Sequence, residues 1–165
     1  MKLVLLSLML AFITTQTRAQ DVYVNPVAPA FTLSDVDGKQ VSLSDFKGKI
    51  VYIDFWATWC GACVEEIPYS KLLIEKFKDN SNIVFLSISF DQDINKWKKK
   101  VKSKKLLGIQ LNSPEGSSSL VMRDYNIRFI PTFLLIGKDG TIIDAQAKKP
   151  SEEGTEEYLN KILAK

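Results

Sequence analysis

Residues 50–66, IVYIDFWATWCGACVEE, join an apolar segment to the only two cysteines of the chain. The segment from 50 to 55 has the composition of a buried strand, and a helix is predicted to begin at the cysteines. Cys60 and Cys63 are separated by two residues, so a bond between them closes very little chain. Stabilisation by a cross-link grows with the length of the loop that it closes. The pair therefore indicates a reactive site rather than a disulfide that serves to stabilise the fold.

The junction between strand and helix is a favourable place for a reactive cysteine. Cys60 falls where the strand leads into the helix, near unpaired backbone N–H groups and the positive end of the helix dipole. Both effects favour the thiolate, which is the nucleophilic form. Cys63 follows in the first turn of the helix, where two sulfurs can meet at bonding distance. The sequence thus predicts a pair that opens and closes as a disulfide.

The rest of the chain predicts a single α/β domain. Its 165 residues are 45% hydrophobic and 25% charged, which is enough apolar material for one sizeable core. Strands and helices alternate and are followed by a hairpin and a closing helix, a pattern typical of a mixed sheet flanked by helices. Strands are predicted at 31–33, 39–43, 50–55, 83–90, 108–111, 132–136 and 141–144, and helices at 60–79, 94–101, 117–124 and 152–163.

The first twenty residues have the layout of a secretory signal peptide. A lysine precedes an apolar run from residue 3 to 13, and small and polar residues follow up to Ala19. The run is shorter than the ~20 apolar residues of a membrane-spanning helix. We expect cleavage after Ala19, giving a signal peptide (1–19) and a folded domain (20–165), with an uncleaved anchor as the alternative. Export to the periplasm or the outer face of the cytoplasmic membrane would place the cysteines where disulfides persist.

Two motifs seventy residues apart resemble one known family. WCGAC after the strand VYIDF resembles the active site of the thioredoxin superfamily, and YNIRFIPTFLLIGKDGTII (125–143) is similar to the segment that holds its cis-proline. The leader, the extension FTLSDVDGKQVSLSDFKGK (31–49) and the added helix around Trp97 are similar to the TlpA/ResA-like envelope thiol-disulfide oxidoreductases. The resemblance implies a thioredoxin-like fold with a central mixed sheet, an N-terminal strand extension and an inserted helix–strand element.

The resemblance also implies roles for the cysteines and for two nearby acids. Cys60 would be the attacking thiol, and Cys63 the resolving thiol that releases the mixed disulfide. Asp54 stands where thioredoxins keep a buried aspartate that handles the proton of the resolving cysteine. Glu66 matches a glutamate that ResA-like proteins carry after their motif, and the alternative is a solvated helix residue like Glu65. A buried carboxylate with a raised pKa is a suitable proton acceptor.

The second motif implies the substrate contacts. Pro131 would be the cis-proline that faces the sulfurs and presents backbone to an extended substrate, with Ile130 and Thr132 beside it. Trp59, directly before the first cysteine, would shield the site. No cofactor or metal is expected.

The favoured function is a monomeric protein-disulfide reductase. By resemblance its clients are protein thiols and disulfides, possible examples being apocytochrome c cysteines awaiting haem, and a membrane thiol-disulfide donor recharges it. A more general envelope reductase or oxidase with other clients is the alternative. The dipeptide between the cysteines is Gly-Ala, not the Gly-Pro or Glu-Pro of relatives, so their redox potential cannot be transferred.

Three other classes of protein are disfavoured by the residues present. A zinc site needs about four ligands, and the chain has two cysteines and no histidine. Copper chaperones of this fold use a histidine and a CxxxC spacing. The peroxiredoxin nucleophile motif P-x-x-x-T-x-x-C is absent, since Ala57 stands three residues before Cys60. Peroxidase activity remains only as a side reaction of an exposed thiolate.

The lysine-rich segment KWKKKVKSKK (96–105) is interpreted as a solvated helix face. Trp97 and Val101 recur at helical spacing and would form the buried stripe, while the lysines face water. Anionic partners or a membrane surface are the alternatives, and export makes nucleic acid an unsuitable partner. Asp93 is expected to cap this helix rather than bind metal.

Overall fold

The computed structural model describes residues 26–165 and contains one seven-stranded mixed sheet. The expected signal peptide, residues 1–19, lies outside the described part. Within that part, none of the helices combines the length and the apolar composition needed to cross a bilayer. The strands are β1 (Thr32–Asp35), β2 (Gln40–Ser42), β3 (Ile50–Trp56), β4 (Ile83–Ser89), β5 (Ile109–Asn112), β6 (Thr132–Ile136) and β7 (Ile142–Asp144), and the helices are α1 (Gly61–Lys76), α2 (Ile94–Lys104), α3 (Leu120–Asp124) and α4 (Thr155–Leu163).

The sheet has the order β2-β1-β5-β4-β3-β6-β7, with β3 among its central strands. β3 runs parallel to β4 and antiparallel to β6, and β4 runs parallel to β5. β1 and β2 form the predicted N-terminal extension, and α2 with β5 forms the predicted insertion. The thioredoxin-like arrangement expected from the sequence is therefore confirmed.

Side chains of β3 alternate between two apolar cores, one on each face of the sheet. Val51, Ile53 and Phe55 belong to one core, and Ile50 and Tyr52 belong to the other, which also receives side chains of α1 and α4. Strand side chains alternate with a period of two. The aspartate at position 54 consequently points to the same face as Tyr52, where α1 begins after the cysteines.

Two helix boundaries differ from the sequence-based expectation. The predicted helix at 117–124 is divided, because Ser119 has an extended ψ of 132° and instead caps α3 by accepting a hydrogen bond from the backbone N–H of Met122. α4 begins at Thr155 and not at 152, because Gly154 has a φ of 78°, in the left-handed region that favours glycine. Residues 149–154 are thereby left as a loop, which contacts the candidate site described below.

α2 carries the lysines on its outer side and packs against the cysteines with its inner side. Asp93 caps it by accepting a hydrogen bond from the backbone N–H of Lys96 at 2.9 Å, as expected. Trp97 and Val101 are buried, and they share an apolar cluster with Trp56 and both cysteines. The predicted division of α2 into a buried stripe and a solvated lysine face is confirmed.

Candidate active site

The cysteines form a disulfide at the start of α1. The S–S distance is 2.07 Å, and Cys60 is the N-cap residue of the helix. Its Sγ accepts a hydrogen bond from the backbone N–H of Cys63 at 3.1 Å. The sulfur therefore lies at the positive end of the helix dipole, beside a donor that would also stabilise a thiolate once the disulfide opens.

The segment around Pro131 closes the site on the side opposite α1. The Ile130–Pro131 peptide bond is cis, the geometry implied by the resemblance. Sγ of Cys60 lies 3.7 Å from the carbonyl oxygen of Ile130, so two motifs seventy residues apart meet at this sulfur. The hydroxyl of Thr132 donates to the carbonyl of Phe129 at 2.7 Å and fixes the turn that leads into the proline.

An open groove of about 650 Å³ adjoins this loop. Pro131 and Thr132 line it together with Arg128, Phe129 and Lys149. Phe129 is 66% exposed, and Trp59, beside Cys60 in the chain, is 64% exposed. Large apolar side chains that remain in water indicate a surface available for contact with another molecule.

Asp54 lies beneath the disulfide with no hydrogen-bond partner for one carboxylate oxygen. Its Oδ1 is inaccessible to solvent and contacts no donor within residues 26–165. The residue as a whole is only partly buried, consistent with the two small internal cavities that it lines. Burial, and secondarily the charge of Glu66, raise the pKa of Asp54 to about 8. The carboxyl group is thus able to exchange a proton near neutral pH.

Glu66 is buried, so the alternative of a solvated helix residue is wrong for it, although Glu65 is exposed. Its Oε2 accepts a hydrogen bond from the backbone N–H of Ser151 at 3.0 Å, and its Oε1 accepts one from the Ser151 hydroxyl at 2.6 Å. Lys149 lies 3.8 Å from the same carboxylate. Glu66 therefore joins α1 to the loop before α4, a contact that sequence reasoning missed because its partners lie 85 residues away.

Asp91 is a second buried acid whose role sequence reasoning missed. Its carboxylate accepts hydrogen bonds from the backbone N–H of Thr58 at 2.8 Å, from the Thr58 hydroxyl at 2.6 Å and from the Ser89 hydroxyl at 2.7 Å. The side-chain amide of Asn112 donates to the Asp91 carbonyl. This network ties the loop before Cys60 to the ends of β4 and β5. The sequence feature that could have revealed this network is the group of polar residues that follows the apolar strand β4.

Comparison with known proteins supports a thiol-disulfide site. The Redoxin family profile matches residues 24–163. The thiol-disulfide oxidoreductase ResA of Bacillus thuringiensis subsp. konkukian is 33% identical over 146 residues, which cover 88% of this chain and 82% of that protein. The solution structure of a candidate thiol-disulfide oxidoreductase from Bacteroides vulgatus superposes with a TM-score of 0.74 at 43% identity, over 87% of this chain and 92% of that chain.

A solved structure of lower sequence identity has the same fold and also belongs to a thiol-disulfide protein. A candidate thiol:disulfide interchange protein DsbE from Chlorobium tepidum superposes with a TM-score of 0.73 at 26% identity, over 84% of this chain and 96% of that chain. The superfamily and the thiol-disulfide chemistry expected from the sequence are thereby confirmed.

Replacing Asp91 should destabilise the protein through the loop that precedes Cys60. Asp91→Ala leaves the buried N–H of Thr58 unsatisfied, and we expect the free energy of unfolding to fall by about 2–4 kcal/mol. Urea unfolding of the oxidised protein at pH 7 measures the change. Asp79→Ala, at an exposed position, is the matched control. Equal stability of the two variants would contradict the anchoring role.

Asp54 should make stability depend on pH between about 4 and 8. Its pKa is about 8 in the folded chain against 3.8 for an ordinary aspartate, so the folded state keeps a proton that the unfolded state loses. The free energy of unfolding should therefore fall as pH rises across this window and level off above it. Asp54→Asn removes this dependence, and its advantage over wild type should grow by roughly 1–3 kcal/mol from pH 5 to pH 8.

Urea unfolding of the oxidised proteins at several pH values tests this dependence, with Asp79→Asn as the control. A constant difference between Asp54→Asn and wild type from pH 5 to pH 8 would show that the carboxyl titrates normally.

Proposed function

This chain belongs to the ResA-like thiol-disulfide oxidoreductases of the Redoxin family, and from that membership we propose that it reduces disulfides of protein clients outside the cytoplasm. The observation that carries the proposal is the position of Cys60 Sγ, held at the N-terminus of α1 and next to the Ile130 carbonyl. A sulfur in this place is stabilised as a thiolate and lies beside backbone that a client can approach.

In the reductive direction the dithiol form of the pair starts the cycle. The Cys60 thiolate attacks a client disulfide, one client sulfur leaves, and a mixed disulfide forms. Cys63 then loses its proton and attacks Cys60 Sγ, which breaks the mixed disulfide and releases the second client sulfur. Two electrons have passed to the client, and the pair is left as the disulfide seen in the structure. A membrane dithiol donor would return the pair to the reduced state.

The client would bind along the loop that contains Pro131. Ile130 and Thr132 offer backbone groups to an extended client segment on either side of the proline. The adjoining groove would provide room for client side chains, and Trp59, exposed beside Cys60 in the chain, would shield the approach to the sulfurs. Because backbone contacts do not depend on client sequence, this arrangement suits several clients with exposed disulfides.

Apocytochrome c cysteines are the proposed clients, and the leader-like residues 1–19 support export. We propose that the protein acts as a monomer. A general envelope reductase or oxidase is the second candidate, because the Gly-Ala dipeptide between the cysteines prevents the redox potential of relatives from being transferred to this chain. The reduction potential of the Cys60–Cys63 pair distinguishes a protein that reduces its clients from one that oxidises them. Equilibration of the purified protein with defined dithiothreitol ratios should give a value nearer the ~−270 mV of thioredoxin than the ~−120 mV of DsbA if the protein is a reductant.

Cys60 should be the first thiol to react. Its sulfur lies at the helix terminus, and Cys60 as a residue is 8% exposed, against 4% for Cys63. Limiting iodoacetamide at mildly acid pH should therefore label Cys60 in the reduced protein, as read by peptide mass spectrometry. Cys63→Ser should accumulate mixed disulfides with clients, whereas the control Cys60→Ser should not. Preferential labelling of Cys63 would overturn the assignment.

Glu66→Gln should shift the pH dependence of client reduction. The Glu66 charge contributes to the raised pKa of Asp54, so its removal should move the rise of the rate to lower pH. Ser151→Ala keeps the Glu66 charge and the backbone hydrogen bond but removes the hydrogen bond from the Ser151 hydroxyl, so we expect it to lower stability and leave the midpoint unchanged. Reduction rates of a model disulfide protein from pH 5 to pH 9 provide the comparison. A Glu66→Gln profile that superimposes on that of wild type would exclude this electrostatic role.

A further inference from the structure

A groove of about 590 Å³ lies between the outer side of α1 and the C-terminal end of α2, and it shares no residue with the groove beside Pro131. Most of its lining is apolar, with Val64 from α1 and Leu107 from the segment after α2, and Lys71 and Lys104 line it as well. Nζ of Lys71 donates a hydrogen bond to the carbonyl of Lys104 at 3.3 Å and so joins the two helices. The groove is therefore a surface feature that both helices build.

Pro68, Tyr69 and Leu72 form an exposed apolar ridge on α1 next to this groove. Leu72 is 65% exposed and Tyr69 is 49% exposed, and both Pro68 and Leu72 line the groove. Exposed apolar side chains that adjoin one another mark surfaces that contact proteins or membranes. Tyrosine is enriched where a bilayer meets water, because its ring is apolar and its hydroxyl is polar. The apolar ridge therefore has a composition suited to the surface of a bilayer.

α2 supplies positive charge beside the same groove. Six of its eleven residues are lysine, and none is acidic. Lys96, Lys100 and Lys104 recur every four residues, so they form a basic stripe of roughly 12 Å along one side of the helix. Because Lys104 lines the groove, this is the side of α2 that faces it. Within residues 26–165, no lysine of the basic stripe forms an ion pair with a carboxylate.

Most acidic residues near the apolar ridge are neutralised by neighbouring lysines. On its other side, Glu152, Glu156 and Glu157 line a second surface groove, and each of them forms an ion pair with a lysine. Glu75, which lines the first groove, is paired in the same way. Glu65 on α1 is exposed without such a pair in the described part of the chain, but the lysines of α2 outnumber it. The excess charge beside the apolar ridge is therefore positive.

We propose that the apolar ridge and the basic stripe together form a contact surface for an anionic phospholipid bilayer. The headgroup phosphates lie beside the lysines, which the negative surface potential of such a membrane attracts, and the ridge side chains enter the interfacial layer. The lysine ammonium groups stay hydrated at headgroup depth, so their exposure in the isolated chain is compatible with this contact. Lysine is a point charge on a flexible stem without the rigid fork of arginine, which suits a layer of headgroups better than one fixed anion.

This contact would hold the disulfide close to the membrane dithiol donor. Val64 of the groove directly follows Cys63, and Trp97 of α2 belongs to the apolar cluster that contains both cysteines. The inference rests on the proposed function for this consequence only, because binding to a bilayer requires no thiol chemistry.

Co-sedimentation with vesicles measures the contact. The full chain is produced with its own leader and purified as the cell processes it, so that all variants share the same N-terminus. We expect binding to vesicles of phosphatidylglycerol and phosphatidylcholine, and at least about tenfold weaker binding to phosphatidylcholine alone. Binding should weaken in ~1 M salt, where the Debye length falls to ~3 Å. Equal affinity for the two kinds of vesicle would overturn the proposal.

Removal of the basic stripe should weaken the binding to anionic vesicles. For Lys96→Gln/Lys100→Gln/Lys104→Gln we expect a loss of at least about tenfold, since each lysine near the bilayer contributes to the attraction. Circular dichroism of the same variant verifies that α2 is still folded.

A second triple variant separates the basic stripe from the overall charge of the protein. Lys39→Gln/Lys47→Gln/Lys138→Gln has the same net charge as the stripe variant, but its three exposed lysines lie outside α1 and α2. We expect its binding to change by less than about twofold, because charges far from the contact are screened by salt. Equal weakening of the two triple variants would contradict a localised contact and overturn the proposal.

A tryptophan in the apolar ridge reports whether the ridge reaches the bilayer. The fluorescence of Leu72→Trp should be quenched by vesicles with brominated acyl chains. Leu120→Trp is the matched control, because Leu120 is 61% exposed on α3, next to Val121 of the core on the other face of the sheet. Equal quenching of the two variants would mean that the ridge does not face the bilayer, and the proposal would fall.

Reduction of a soluble model disulfide protein without vesicles separates this inference from the proposed function. The wild type and the stripe variant should react at equal rates, because no lysine of the basic stripe lines the groove beside Pro131. Normal reduction without binding to anionic vesicles would overturn the inference, favour an acidic protein surface as the partner, and leave the proposed function standing. Stripe-dependent vesicle binding by a protein that reduces no disulfide would instead overturn the proposed function and support the lipid contact.

Discussion

The N-terminus of α1 is the feature on which the rest of the site depends. A helix begins with backbone N–H groups that lack partners inside the helix, and here one of them, from Cys63, is satisfied by the sulfur of Cys60. The same hydrogen bond that caps the helix would stabilise a thiolate. Because Cys60 is both the helix cap and the proposed nucleophile, the strand before it and the loop at Thr58 must hold it at one position.

The buried acids around this terminus differ mainly in their hydrogen-bond partners. Asp91 accepts three hydrogen bonds and Glu66 accepts two, so each fastens a loop to the framework of the site. Asp54 Oδ1 accepts none within the described residues, and burial, with the charge of Glu66 as a smaller cause, raises the pKa of Asp54. Burial of a carboxyl group without donors disfavours its charged form. The protein thus contains two carboxylates that hold loops in place and one buried carboxyl group with a raised pKa.

The inserted element α2–β5 extends the surroundings of the disulfide. α2 places Trp97 against the cysteines, and β5 supplies Gln110 at the cavity next to Cys63. On the opposite side, the loop before α4 is held to α1 through Glu66 and lines the groove beside Pro131 through Lys149. Each sulfur is therefore surrounded by segments from distant parts of the chain, so a change in one segment alters the environment of both.

Features that depend on local pattern could be predicted from the amino-acid sequence. Periodicity identified the strands, the buried stripe of Trp97 and Val101, and the junction at Cys60, and two motifs identified the family and the cis bond before Pro131. The hydrogen-bond partners of the buried polar groups could be identified only from the three-dimensional structure. Glu66 meets Ser151 across 85 residues, and Gln110 reaches the cavity of Asp54 from another strand. Strand and helix periods are set by neighbours in the chain, whereas a side chain's hydrogen bonds and desolvation are set by whichever distant segments pack around it.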